Sequence, residues 1–444
     1  MDPLPPPDRP PRRRGHRPRH SLVDGCLEAT AGTVANLSEP RDSSSPPSNL
    51  GIGLYLILGL VASLGPISID TYLPALPEIA SSLDASDGMT QMSVTAFLFG
   101  LVLGPVVFGP ISDAMGRRRL VLGSLVVYSL VSLSIATVGS VEMLISLRLA
   151  QAACGGTAIA IARSMFRDLL SGDALARAMS ILTVIILGAP IIAPFLGALL
   201  LLAWGWRAIF VALGIVGGLI FIAVWYRLPE TLPPEDRRPL DLGTAVRGYV
   251  TITRSRIAVA YAIAGGAAAA ILFAFLAASP FIYISYYGLD ERWFGVLFGI
   301  GIVGAWIAQI VNIRYVMRIG YRRIVLVGAF CMAALSTVLW WVTRTDLWGL
   351  AGVVSMSVVV LSMIHLVTPG TQAGVLDEFP HDLAGSASGF STFARFTLGA
   401  AGSAMVGLFN DGTPEAYGVV VLVSAVVALA AVALAYPSKT TQPA

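Results

Sequence analysis

Three ionisable residues stand inside long apolar runs: Asp70 in "ASLGPISIDTYLPALPEIA", Arg148 in "LISLRLAQAACGG" and Arg395 in "GFSTFARFTLGAAGSA". Charge in such surroundings is costly and marks an ion or substrate path. Ser63, Pro66, Asp70, Pro74 and Pro77 recur at three- and four-residue steps. On a helix this spacing sets the Asp70 carboxylate on one polar, Pro-broken face that should line a cavity. A carboxylate whose surroundings alternate between protein and water changes its proton affinity, which is what coupling to a proton gradient requires. Asp70 could instead simply end its run at the outer interface. Arg148, with Gln151 beside it, reads either as a positive charge modulating that proton site or as a buried arginine pinning its helix to a neighbour. Arg395 carries a weaker form of the same reading, because Gly399 and Gly402 nearby suggest helix packing. Tyr72, Gln151, Phe273, Phe275 and Arg395 are candidates for the wall of the cavity, with Phe273 and Phe275 as an apolar surface, although core packing or lipid contact suits the aromatics equally.

Other chemistries lack their residues. Lys439 is the sole lysine, so no Gly-x-x-x-x-Gly-Lys phosphate loop exists and ATP is not hydrolysed here. No His-Glu-x-x-His or Gly-x-Ser-x-Gly occurs; "GSASG" at Gly385 has Ala387 where a nucleophile would stand. Cys26, Cys154 and Cys331 are scattered, and His365 is isolated in a run, a packed or cavity-lining residue rather than a ligand. The expectation is a non-enzyme with no cofactor, no metal and no nucleic-acid partner.

The elements that must position these residues are membrane helices. The chain has 444 residues, 56% hydrophobic and 12% charged, and its mean hydropathy is +0.77. A soluble domain cannot carry that composition. Apolar runs of roughly 18 to 25 residues, the length that crosses a bilayer core, fall at about 51–72, 89–109, 120–138, 141–162, 178–203, 207–227, 257–279, 293–313, 324–342, 347–369, 385–409 and 416–436. With the N-terminus inside, nearly every Arg outside the runs falls on one side, leaving Arg207, Arg292 and Arg344 on the other. Both termini are therefore expected in the cytoplasm, which needs an even number of crossings and fits twelve.

Residues 1–48, rich in Pro, Arg and Ser, read as a disordered cytoplasmic tail or an over-extended start. A six-helix half over 49–227, a cytoplasmic linker over 228–256, a second half over 257–436 and a short tail over 437–444 complete the plan. The halves share a repeat at a spacing of about 204 residues: "MGRRRLVL" aligns with "IGYRRIVL", pairing Gly116 with Gly320, Arg118 with Arg322 and Arg119 with Arg323. Two similar halves joined by a linker are the plan of secondary transporters, whose site lies between the halves near the midplane.

"GPISDAMGRRR" places an Asp and three Arg between two apolar runs. It resembles the loop between helices 2 and 3 of the major facilitator superfamily. The resemblance implies an intracellular latch made by Asp113 and Arg118, with Arg117 beside them and Gly109 and Gly116 admitting the close contact, which stabilises the outward-facing state. In the fifth run, "ILGAPIIAPFLGALL" resembles the antiporter motif of drug exporters, carried by Gly188, Pro190, Pro194 and Gly197, with Ala193 and Ala198 where glycines are usual. Together with "DTYLPALPEIA", "RLAQAACGGTAIAIARSMFRDL", "GWRAIF", "LPETL", "ASPFIYISYYGL" and "DEFPHDLAGSASG", these stretches are similar to the Bcr/CflA group of drug-resistance transporters over residues 50–436.

That resemblance implies an all-α membrane protein of the major facilitator fold, twelve helices in two six-helix halves. It further implies a drug/proton antiporter in the bacterial cytoplasmic membrane, whose relatives export bicyclomycin-, sulfonamide- or chloramphenicol-type antibiotics; the internal repeat needs no partner to form its pathway, so a monomer is expected. Some related exporters carry a second acid two turns before the position of Asp70; Ala62 stands there, so about one proton per cycle and neutral substrates are expected. The alternatives are a nutrient or metabolite symporter or facilitator, and a receptor or membrane enzyme reusing the fold.

Overall fold

The computed structural model describes residues 52–237, 242–380 and 383–436, all within the unit Pro46–Ala444. The two tails and the centre of the linker lie outside the described residues. Every regular element among the described residues is helical. The first half comprises α1 (Ile52–Asp70), a 3-10 turn (Leu73–Ala75), α2 (Leu76–Ser82), α3 (Asp87–Met115), α4 (Arg117–Ile135), α5 (Val141–Leu169), α6 (Gly172–Trp204) and α7 (Trp206–Arg227). The second comprises α9 (Arg256–Pro280) with a π-helical turn (Phe281–Tyr286), α10 (Glu291–Ile319), α11 (Tyr321–Thr345), α12 (Gly349–Leu376), α13 (Ala384–Leu408) and α14 (Glu415–Ala435). Between them lies α8 (Leu242–Thr253), a helix within the expected linker that packs on α13.

Eleven of the described helical segments are long and apolar enough to cross a membrane. The twelfth expected run is α13, 25 residues long. Arg395 and its Gly, Ser and Thr residues lower its apolarity, and it is tolerated because α9 and α3 cover it. Four helices run beyond the ends expected at 109, 162, 313 and 369, reaching Met115, Leu169, Ile319 and Leu376. Hydropathy marks where the bilayer stops, while the backbone ladder continues into water on polar turns such as "RSMFRDL".

Local signals explain the helix starts. Ser86, Ser140 and Ser255 accept hydrogen bonds from the amides of Met89, Met143 and Ala258, and Asp290 accepts from Arg292 N. The repeat noted in the sequence marks equivalent joints. Gly116 (φ 102°) separates α3 from α4, and Gly320 (φ 84°) separates α10 from α11, positions where a left-handed backbone favours glycine.

Small residues bring the central helices together. A Cβ on Gly156 would lie 2.6 Å from the Leu101 carbonyl oxygen, at the crossing of α5 and α3. A Cβ on Gly402 would lie 2.6 Å from that of Ala270, at the crossing of α13 and α9. The halves meet chiefly where α3 touches α13 and α6 touches α10. These contacts cluster at the Arg-poor end of the bundle: Gly88 abuts Gly407, Thr95 donates to Ser403 Oγ at 2.9 Å, and the Phe195 backbone faces Gly295.

Candidate functional site

Closure at the Arg-poor end leaves a cavity of about 810 Å³ between the halves. It runs from Asp70 to Arg167 and Gly385 at the Arg-rich helix ends. Its wall is mostly apolar, and Asp70 is its one carboxylate among the described residues. The position of Asp70 follows from the prolines: Pro66 lies within α1, and Pro74 denies the helix an amide four residues after Asp70, so α1 ends there and passes into the 3-10 turn. The side chain is 4% exposed, and no hydrogen bond or ion pair reaches its carboxylate among the described residues. The neighbouring residue, Thr71, meets α6, because a Cβ on Gly197 would strike the Thr71 carbonyl oxygen.

Arg148 is not on the cavity wall. It is fully buried in the first half, nearer the Arg-poor end. Its Nη1 donates to the Ser68 carbonyl at 3.2 Å and to Gln151 Oε1 at 2.6 Å. Its guanidinium lies 4.0 Å from the ring centroids of both Tyr72 and Phe97. No carboxylate pairs with it among the described residues; aromatic faces hold the charge instead. Gln151 Nε2 donates to Ser132 Oγ at 2.7 Å, and Tyr128 Oη shares a 2.6 Å hydrogen bond with Ser68. Tyr72 and Gln151, expected on the cavity, thus belong to a network behind it. The physical reason is valence: a buried guanidinium requires acceptors and π faces, and these two residues supply them.

The Asp113 loop also differs from the expected pairing. Asp113 is bonded by Arg117, which reaches Asp168 at 3.2 Å and Ser112 Oγ at 2.7 Å. Arg118 turns away, donating to the carbonyls of Leu228 and Trp225 at 2.7 Å each. Asp113 closes α3 and Arg117 opens α4, and the turn at Gly116 brings the two side chains together, whereas Arg118 points toward the end of α7. Glu230 Oε1 accepts from the backbone amides of Arg117, Thr231 and Leu232 at 2.9, 3.1 and 3.2 Å. All these partners lie in the first half and the segment just after it. A Cβ on Gly116 would lie 2.6 Å from Glu230 Oε2, while Gly109 has open space around its Cα. Close contact is therefore made at Gly116 and not at Gly109.

Of the fifth-run motif, Pro190 lines the cavity and Gly197 makes the contact with Thr71. Pro194 is buried and Gly188 faces open space. Phe273 and Phe275 lie on the wall; Phe273 meets Phe396 in a tilted pair with centroids 5.7 Å apart, and Phe275 stacks on Phe298 at 5.9 Å. Arg395 sits one layer behind, against α9, where a Cβ on Gly265 would lie 3.9 Å from its Cγ. His365 lines the cavity.

Arg163, Arg167 and Tyr249 on the wall were not anticipated, and neither were Asp168 and Glu230 in the loop network. The α5 residues were legible in principle: Gly156, Ile159, Arg163 and Arg167 follow the three- and four-residue steps of one helical face. Tyr249 was not, because its place depends on how α8 folds back.

The chain matches the model of the Major Facilitator Superfamily over residues 58–404. It is 33% identical over 386 residues to an uncharacterized MFS-type transporter, YdgK, of Bacillus subtilis, covering 86% of this chain and 95% of the relative. It is 31% identical over 348 residues to a bicyclomycin resistance protein homolog of Haemophilus influenzae, covering 78% and 86%. Among solved structures, a D-xylose-proton symporter superposes with a TM-score of 0.68 at 15% identity, covering 85% of this chain and 96% of that one.

Proposed function

The chain belongs to the major facilitator superfamily, in its Bcr/CflA-type drug-resistance branch, and is a transporter rather than an enzyme; from that premise we propose that it exports small, mostly apolar antibiotics in exchange for protons. The observation that carries the reading is Asp70, the one carboxylate on the cavity wall, buried and without a partner among the described residues. Rocking the halves would expose it to water on alternate sides and change its hold on a proton. The Haemophilus relative, named for bicyclomycin resistance, supports an antibiotic as cargo, and bicyclomycin- and chloramphenicol-type compounds are the first to try.

In this reading the Arg-rich end faces the cytoplasm, both termini are cytoplasmic, and the membrane is the bacterial inner membrane. The conformation described is then inward-facing. The Gly109–Arg118 loop would latch the halves in the outward-facing state, once Asp113 exchanges its hold on Arg117 for the second half. One chain contains the whole path, so a monomer suffices. Arg148 and its network act on Asp70 indirectly, by fixing the end of α1 through the Ser68 carbonyl.

The test is accumulation of labelled chloramphenicol or bicyclomycin by liposomes that contain only this protein, with the lumen acidified. Uptake that collapses when the proton gradient is dissipated supports antiport. Movement indifferent to the gradient would replace it with facilitated diffusion.

A further inference from the structure

A second, smaller cavity of about 220 Å³ lies at the Arg-poor end, and its lining includes Asp87 and Val406, the neighbours of the glycines that meet there, Gly88 and Gly407. The first half contributes Asp87 and Gln91; the second contributes the π-helical turn, the end of α13 and the start of α14. Asp87 and Gln91 are four residues apart and share one face of α3. Asp87 is the first residue of α3, where the helix start alone accommodates an acid. Gln91 has no such explanation. It is 2% exposed, its Oε1 is buried without a partner, and no hydrogen bond reaches the other end of its amide among the described residues. An amide left unmet in this way is costly unless something else meets it. Its neighbours on the wall are spent elsewhere: Asn410 Oδ1 accepts from the Gly412 amide at 2.9 Å, and Thr413 Oγ1 is bonded to Asp411 at 2.7 Å.

Charge and ring faces define the missing partner. Asp87 is the one charged group among the described lining residues. The arginines of this end are engaged away from it: Arg292 with Asp290, Arg344 with Glu415, and Arg207 over the Trp206 ring. The rings of Phe281, Tyr286 and Tyr417 complete the wall, and the Tyr417 hydroxyl turns away to Ser357 at 3.0 Å. A metal ion would find a single carboxylate and no cage of oxygens. A carboxylate, an amide oxygen and aromatic faces together complement an ammonium group on an apolar body. We propose that this cavity binds a protonated primary amine of about the size of phenethylamine, whose N–H groups donate to Asp87 and Gln91 while its body lies against the three rings. Because the wall is assembled from both halves, the site is complete only while the Arg-poor end is shut. An amine bound there holds that end shut and, in the transport reading above, brakes the cycle from the outer face. The binding itself does not depend on that reading.

The test uses two labelled probes of nearly equal shape, phenethylamine and phenethyl alcohol. Equilibrium dialysis is run at neutral pH against the full-length protein in lipid nanodiscs, with empty nanodiscs as the blank. The amine, protonated under these conditions, should bind about five- to tenfold more tightly than the alcohol, the difference one charge-assisted contact makes at a half-buried carboxylate. Asp87→Asn should remove that preference and leave the affinity for the alcohol unchanged, which reports that the site is folded. Tyr286→Leu should weaken the amine several-fold, and Tyr286→Phe should not. Asp70→Asn should keep the preference, which separates this site from the central cavity. Gly295→Val forces α6 and α10 apart at the Phe195 backbone without touching the cavity and should weaken the amine several-fold by opening this end. Equal binding of the two probes, binding of neither, parallel losses for both in Asp87→Asn, or a preference that follows Asp70 instead of Asp87 would each overturn the amine site. Full amine affinity in Gly295→Val would overturn its tie to the closed end. If liposomes show no proton-driven transport, the antiport reading falls and the dialysis still decides this inference.

Discussion

Closure at the Arg-poor end depends on two glycines, and enlarging one of them should redistribute the conformations. Gly407→Val adds a Cβ that would lie 2.9 Å from the Gly88 carbonyl oxygen, 2.9 Å from Met92 Cε and 3.3 Å from Gln91 Cβ. The methionine can swing aside; the backbone oxygen cannot. Restoring ordinary contact distances of about 3.5 Å requires α3 and α13 to separate by roughly half an ångström or more, before the valine methyls are accommodated. Overpacking of this kind costs about 1–3 kcal/mol, and the separation also stretches the hydrogen bond from Thr95 to Ser403, 2.9 Å long. The cost falls only on the state in which this end is shut, so the open-outward population should rise by roughly 5- to 150-fold relative to wild type. The assay is the labelling rate of a cysteine placed at Ala160 on the cavity wall, in a background without Cys26, Cys154 and Cys331, by a membrane-impermeant maleimide applied from either side. Labelling from the Arg-rich side should fall and labelling from the other side should rise. Unchanged rates from both sides would refute the assignment of this interface as the closed gate.

Three further outcomes follow from single sites. Arg148→Met loses two charge-assisted hydrogen bonds and the stacking on Tyr72 and Phe97; after relief of the charge's desolvation, about 2 kcal/mol of stability should disappear, read as a lower thermal midpoint in detergent. Gly197→Leu drives a side chain into the Thr71 carbonyl beside Asp70 and should depress proton-driven transport by about tenfold or more, with membrane insertion intact by fluorescence of a fused reporter. Glu230→Ala strands the amides of Arg117, Thr231 and Leu232 and should cost about 1–2 kcal/mol, read as faster proteolysis at the segment after α7.

Much of this was visible in the sequence because lipid is a demanding solvent. Apolar length located the helices and the glycines of the repeat located the joints at Gly116 and Gly320. The prolines around Asp70 placed its carboxylate on a cavity. What was hidden depends on partners. Arg148 announces that it needs acceptors, but not that Tyr72, Phe97 and the Ser68 carbonyl will provide them instead of an acid. Asp113 signals a charged joint between two helices, yet its choice of Arg117 over Arg118, and the supporting contacts of Asp168 and Glu230, depend on contacts made at sequence separations of about fifty and more than a hundred residues. α13 shows the opposite case: its polarity weakens it as a hydropathy signal because α9 and α3, rather than lipid, cover it.

The central claim is that Asp70 carries the exchanged proton. Its most direct test is proton release from liposomes with an acidified lumen and a trapped pH dye, comparing wild type with Asp70→Asn as the transported antibiotic is added. The account predicts that the antibiotic discharges the gradient through wild type and that Asp70→Asn, still folded and still able to bind the compound, does not. Equal discharge by both proteins would contradict it.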